Sequence, residues 1–441
     1  MSKNKYEIDM CNGTIMDKLI SFSVPLMLSG ILQLMFNAVD IIVVGRFAGS
    51  QSLAAVGSTT ALINMFVNLF IGVSLGANVL AARFYASGKH KEMSETVHTA
   101  ITFAAISGVV MALIGVLMAK PALELMGTPD DVINLSTLYM RIYFLGMPFF
   151  MLYNYGAAVL RAVGDTKRPL MFLIAAGIIN ACLNMVLVIV FNLGVAGVAI
   201  ATIFSQFISC VLVLRCLNKT DASYQLRFSK LKIKGYYLKQ IFQVGIPAGI
   251  QSTVINFSNA LLQSSVNSFG STAMAGYTAA NNILGFLYAS INSVTQACMS
   301  FTSQNYGVRK FKRMDKVLID CVILSVGASL VFGCGVFRAP DGDLGNVADI
   351  NFLQDFQCVL AGDLHQIMRP AVEAYALADG LGIGARNFVF LKQHIPAPPY
   401  SIRRSSLRIT LMYMSSSSRS SITHDHSGLT SVFAAPFHCA S

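Results

Sequence analysis

The chain has 441 residues, 54% of them hydrophobic and 12% charged, where a soluble domain carries about 45–50% and about 25%. With a mean hydropathy of +0.61, this composition excludes a disordered chain, a coiled coil and a nucleic-acid-binding tail protein, and it points to a polytopic membrane protein. The net charge of +11 sits wholly in residues 1–337, which hold 24 Lys and Arg against 13 Asp and Glu, while residues 338–441 hold eight of each.

Nine apolar segments follow in chain order, at about 19–44, 53–81, 95–119, 132–160, 169–192, 194–217, 238–267, 273–303 and 315–337. Each reaches the ~20 residues a helix needs to cross a bilayer core. A helix satisfies its own backbone hydrogen bonds in lipid, so the expected fold class is an all-α polytopic membrane protein with nine spans. The first segment is too long for a signal-peptide core and no small-residue cleavage pattern follows it.

Loop charge alternates along these segments. Lys3, Lys5 and Lys18 precede the first. Arg83, Lys89 and Lys91 follow the second, and Arg161, Lys167 and Arg168 the fourth. Seven cations between Arg215 and Lys239 follow the sixth, and five between Arg309 and Lys316 the eighth. The intervening loops carry only Arg46 and Lys120, with Glu124, Asp130 and Asp131 beside the latter. The positive-inside rule then puts the N-terminus in the cytoplasm of a cell with this protein in its cytoplasmic membrane. The alternation favours topology over a nucleic-acid patch as the meaning of these basic loops.

The chain repeats at a spacing of about 220 residues. Val24-Pro25 matches Ile246-Pro247, Ser52-Leu53-Ala54-Ala55 matches Thr272-Ala273-Met274-Ala275, and Tyr85–Met93 (YASGKHKEM) matches Tyr306–Met314 (YGVRKFKRM). Both copies start on the same side, so they read as parallel repeats about an axis along the membrane normal, as in secondary transporters whose substrate site lies between the halves. The expected domains are a first lobe over 1–218, a partial second lobe over 219–337 and a disordered tail over 338–441. The tail lacks a spanning run and contains QHIPAPPYSIRRSS and SSSSRSS. Its abrupt change of composition is read as a reading-frame shift or a misjoined coding sequence.

Asp40 is the only acidic residue well inside a spanning segment. A carboxylate there costs about 2.5–3.5 kcal/mol on insertion scales and marks a functional site by default. Removal from water disfavours the charged form of a carboxyl group, which suits a proton carrier. The bland alternative is simple hydration near a helix end. Asn180 and Asn184 lie four apart, as do Thr202 and Gln206, and Asn37 precedes Asp40 by three, so each set shares a helix face. Their oxygens suit a hard cation such as Na⁺; structural interhelical hydrogen bonding is the plainer reading of any one of them. Arg141 is expected to snorkel at an outer helix end. No GxxxxGK[ST] and no HExxH occurs, so neither ATP-driven transport nor zinc-protease chemistry is indicated, and the nine cysteines form no CxxC pair. Gly380–Ala385 and His424-Asp425-His426 are read as loop, not as nucleotide or metal sites.

Several stretches together resemble the multidrug and toxic compound extrusion (MATE) family, and within it the bacterial DinF-like branch. They are SVPLMLSGILQLMFNAVDIIVVGRFAG, LAAVG, LRAVGDTKRPL, NACLNMVLVIVFNLGVAGVAIAT and GIPAGIQ, spread over about residues 10–337. The resemblance implies two six-helix lobes, the second incomplete here. It also implies an antiporter rather than an enzyme, exporting organic cations in exchange for H⁺ or Na⁺ as a monomer, with no other cofactor. Carried over by position, Asp40 is the coupling carboxylate with Asn180, Asn184 and Thr202 around it, and Gln33, Asn37 and Asn154 line the cavity. Many relatives of that branch have Asp where this chain has Asn184, and other branches carry a Glu near positions 255–256, where this chain has Ile255 and Asn256. A lipid-linked oligosaccharide flippase of similar architecture is the runner-up, although the helix interiors lack the Arg and Lys such a groove requires. A non-transporting membrane product is the third reading.

Overall fold

The computed structural model describes residues 6–267 and 271–337. Residues 338–441, expected to be a disordered tail, lie outside the described residues.

All regular structure among the described residues is helical. The first group comprises α1 (Met16–Phe47), α2 (Ser50–Ala86), α3 (His90–Leu125), α4 (Asp130–Leu145), α5 (Met147–Ala162), α6 (Lys167–Met185) and α7 (Gly194–Lys219). The second comprises α8 (Gly235–Asn267), α9 (Ser271–Gly307) and α10 (Phe311–Phe337). Among the described residues, five helices are long and apolar enough to cross a membrane, six when α4 and α5 count as one bent span. The other three have 33, 37 and 27 residues, about 40–55 Å at 1.5 Å per residue.

The expected single span over 132–160 is broken. α4 and α5 meet at 46° across Gly146. Pro148 lies in the first turn of α5, where its missing N–H costs nothing, but its ring would clash with the carbonyl four residues back in a continuous helix. The segment expected over 169–192 is α6 extended by a π turn, Val186–Val190.

The repeat spacing recurs in the helices. α9 begins and ends 221 residues after α2, and α10 begins 221 residues after α3. Pro25 and Pro247 fall inside α1 and α8.

Ile106, Val110, Leu113 and Leu117 of α3 are spaced by three and four and are exposed, Leu117 at 73%. In a multi-pass membrane protein such a stripe faces lipid. The opposite face of α3 buries Val97, Ala100, Ala104 and Met111 in a core shared with α2 and α5. Phe103 of α3 meets Tyr155 of α5 and Phe242 of α8 at ring separations of 6.0 and 5.1 Å.

At their glycines, α2 and α8 come into direct backbone contact. A methyl group added at Gly72 would lie 2.2 Å from the Gly249 Cα atom, and one at Gly76 would lie 2.2 Å from the Ile241 carbonyl oxygen. The pairs Gly72/Gly76 and Gly245/Gly249 are each four apart, the small-xxx-small spacing that brings helix backbones together in membranes.

Candidate functional site

The site forms where α1, α6 and α7 meet. The ring tip of Phe36 of α1 abuts Gly177 of α6, where a methyl group would sit 1.8 Å from Cζ. A larger residue at 177 would force the Phe36 side chain to move. One turn on from that contact, α1 carries Asp40, and α6 carries Asn180 and Asn184 on the Gly177 face.

The side chains form a chain across three helices. Asn184 Nδ2 donates to Asp40 Oδ1 and lies 3.3 Å from Asn180 Oδ1. Asn180 Nδ2 donates to Thr202 Oγ1 of α7 at 3.5 Å. The Thr202 hydroxyl in turn donates to the Val198 carbonyl at 2.9 Å. Asn180 and Asn184 are buried, and Asp40 and Thr202 are half-buried. The carboxylate therefore lies in protein surroundings rather than at an exposed helix end.

One atom is left over. Asn184 Oδ1 is buried and accepts no hydrogen bond. An unmatched acceptor in a dry site costs about 1–3 kcal/mol and suits a positively charged or proton-bearing guest. Asp40, Asn180 and Thr202 carry further oxygens, the donor type hard cations favour, with the Asn184 Nδ2 group bonded to those of Asp40 and Asn180. Among the described residues no group of three His, Cys, Asp or Glu side chains gathers to hold a metal ion.

Two tyrosines complete the surroundings. Tyr139 and Tyr143 of α4, one turn apart, both lie within electrostatic reach of Asp40, and Gln206 of α7 is within hydrogen-bonding reach of the Tyr143 hydroxyl. The sequence reading passed over both tyrosines, although their spacing of four put them on one helix face.

The expected cavity residues scatter. Gln33 and Asn37 are exposed on α1. Asn154 is half-buried and donates to the Phe150 carbonyl within its own helix at 2.9 Å. Arg141 is exposed, with Nε 3.3 Å from the Val116 carbonyl. Gly72-Val73-Ser74-Leu75-Gly76 has the GxSxG spacing of a hydrolase elbow, which needs a strand-to-helix turn. Here it lies within α2, and the Ser74 hydroxyl donates to the Ile71 carbonyl at 2.7 Å.

The LRAVGDTKRPL stretch builds the α5–α6 turn. Gly164 adopts φ +94°, and Asp165 accepts the Arg168 N–H at 3.1 Å and also pairs with its guanidinium. Burial pushes the Asp165 carboxyl above the usual range, with Arg168 pulling against it.

Comparison with known proteins gives a consistent result. The MatE family model matches residues 25–186 and 247–340. The chain is 33% identical over 306 residues to the "Probable multidrug resistance protein YoeA" of Bacillus subtilis (strain 168), covering 67% of this chain and 66% of that protein. It is 23% identical to the "Multidrug export protein MepA" of Staphylococcus aureus (strain MRSA252), covering 71% and 69%. The matches thus span about two thirds of these relatives' length. In fold, it resembles an outward-facing multidrug resistance MATE family transporter of the MOP superfamily, with TM-score 0.75 and 19% identity over 85% of this chain and 88% of that one. It resembles the straight conformation of a MATE protein with TM-score 0.73 and 19% identity, over 84% and 85%. The family match spans more than half of this sequence and the apolar helices are those of a multi-pass membrane protein, so the chain belongs to the MatE family, the multidrug and toxic compound extrusion transporters.

Proposed function

We propose that the chain is a cation-coupled exporter of organic cations in the cytoplasmic membrane, with its N-terminus and basic loops in the cytoplasm. The observation that carries this reading is the Asp40–Asn184–Asn180–Thr202 chain, with an unmatched buried oxygen at Asn184 beside the carboxylate. The relatives' names, multidrug resistance and multidrug export, support the substrate class.

The coupling is a competition between two states. A proton or Na⁺ at Asp40 neutralises the one carboxylate in the apolar stretch of α1. That ion shifts the equilibrium between outward- and inward-open arrangements only by its differential affinity for the two. Tyr139 and Tyr143 sense the charge at Asp40 and carry the change to α4. The exported cation leaves as the ion arrives.

The test uses the full chain in proteoliposomes loaded with a cationic dye. A Na⁺ gradient or a pH gradient drives dye movement in the parent. Asp40→Asn keeps an oxygen that accepts from Asn184 but removes the charge, and it abolishes gradient-driven movement while the purified variant stays monodisperse. Undiminished movement in Asp40→Asn would overturn the proposal.

A further inference from the structure

A segment ahead of α1 ties the two helix groups together. Its first half is held by the first group. The Tyr85 and Tyr224 hydroxyls donate to the two oxygens of Glu7 at 2.9 and 2.7 Å. The Arg168 guanidinium lies over the Tyr6 ring at 5.5 Å. The backbone of Ile8 rests on Gly164, so closely that a methyl group there would lie 2.6 Å from the Ile8 carbonyl oxygen.

Its second half is held by both groups: Lys18 of α1 donates to the Asp9 and Asn12 carbonyls at 2.7 and 2.5 Å, and the second group supplies the other donors. Asn305 of α9 and Arg313 of α10 donate to the Met10 carbonyl at 3.1 and 3.3 Å. Lys310 donates to the Cys11 carbonyl at 2.9 Å and to Asn12 Oδ1 at 2.8 Å. Arg313 also reaches the Asn12 carbonyl at 3.2 Å. Met10 lies between the two sets of contacts and is fully buried.

Further contacts between the two groups reinforce this end. Phe22 packs on Phe301, the Ser300 hydroxyl donates to Asn78 at 3.1 Å, Gln304 donates to the Ala162 carbonyl at 2.7 Å, and Arg83 stacks over Tyr306. A polar seam of this kind is easily rehydrated when parted. The segment, by contrast, must lose charge-assisted bonds on one side before the groups can separate.

We propose that residues 6–13 are a clasp that holds the two helix groups together at this end, and that opening the end requires the segment to leave Lys310 and Arg313. The proposal rests on the exporter reading, since a protein that alternates must open here. It adds a device that the coupling site does not supply.

Two readouts test it in the full chain. Cys11 is a native reporter. Burial pushes its thiol above the ordinary value and Asp9 adds to this, while Lys310, Arg313 and Lys18 oppose it. The thiolate is the reactive form. Burial is the largest effect, so release speeds alkylation even though Lys310→Ala/Arg313→Ala removes two cations. The expected result is a severalfold faster alkylation rate than in the parent. The second readout is the spin-label distance between Lys89→Cys and Lys312→Cys in a chain whose native cysteines are replaced, measured without substrate. Lys310→Ala/Arg313→Ala adds a longer-distance population that the parent lacks, and the exposed-site control Lys91→Ala does not. Lys310→Arg/Arg313→Lys, which keeps the donors, behaves as the parent does.

Unchanged Cys11 reactivity would show that these cations do not hold the segment and would overturn the proposal. Faster Cys11 with an unchanged distance distribution would also overturn it, since the segment would then leave without the end opening. If the double variant does not fold, Glu7→Gln serves in its place. It weakens the grip of the two tyrosines on the first half, so the longer-distance population appears while Cys11, still held by Lys310, reacts as in the parent, and an unchanged distance counts against the clasp. Neither readout involves dye movement, so failure of the export reading is seen separately.

Discussion

The carboxamide at 184 has two roles. Its Nδ2 group faces two acceptors, Asp40 and Asn180, while its own oxygen is left unmatched. Asn184→Asp would place a second carboxylate against the first. Two carboxylates in contact do not both ionise without a compensating cation or proton. The purified variant should therefore gain thermal stability from Na⁺ that choline at equal ionic strength does not give. Binding at ten times the Kd contributes about 1.4 kcal/mol, an upper bound of about 3–6 °C in Tm, since 1 kcal/mol moves a protein of 150–250 residues by about 2–4 °C and a longer chain by less. The parent should respond less, and equal responses in the two proteins would show that position 184 does not face the ion. Asp40 was legible in the sequence because a carboxylate in an apolar run is costly and therefore rare. Asn180, Asn184 and Thr202 were legible from helical spacing, which put Asn180 and Asn184 on one face. Tyr139 and Tyr143 were not, because in a chain with 29 Phe and 15 Tyr two more aromatics on a helix carry no signal. Gln33 and Asn37 stood out for the opposite reason. They are polar residues in an apolar helix, but on a face that the fold leaves exposed.

At the scale of elements, the glycine crossing of α2 and α8 makes the sharpest prediction. Gly76→Ala puts a methyl group against the fixed backbone of Ile241 and Gly245, and overpacking of that kind costs about 1–3 kcal/mol. Gly57→Ala, on the same helix, meets nothing within 4 Å and gains helix propensity worth about 0.5–1 kcal/mol. Thermal melts of the two variants should therefore move in opposite directions. A Gly76→Ala variant as stable as the parent would mean that the helices do not touch there. The paired glycines were in the sequence, but single glycines are common in apolar runs and spacing alone did not say which helices would meet. The break at Gly146-Met147-Pro148 was in the sequence too. Hydropathy averages over such a break, because it measures whether a stretch dissolves in lipid and not whether it is straight.

At the scale of the whole molecule, the order of the long helices and their 221-residue repeat spacing were legible in the sequence, because hydropathy and repeat spacing are properties of the linear chain. The clasp was invisible there. Its partners lie about 300 residues apart and several of its bonds end on backbone carbonyls, which have no residue signature. The proposed orientation has a direct check in inverted and right-side-out vesicles of a chain whose native cysteines are replaced. Lys230→Cys should react with an impermeant reagent only from the cytoplasmic face, and Glu124→Cys only from the opposite face, both positions being exposed. The reverse pattern would invert the topology, and with it the direction of export. The crossing of α2 over α8 has a further consequence. At Gly72, Gly76, Gly245 and Gly249 the contact is main chain on main chain, so no side chain has to change rotamer there when one backbone rolls on the other. That suits the glycine contact to serve as a pivot, with the Phe84–Tyr237 pair toward the end of the crossing moving with it.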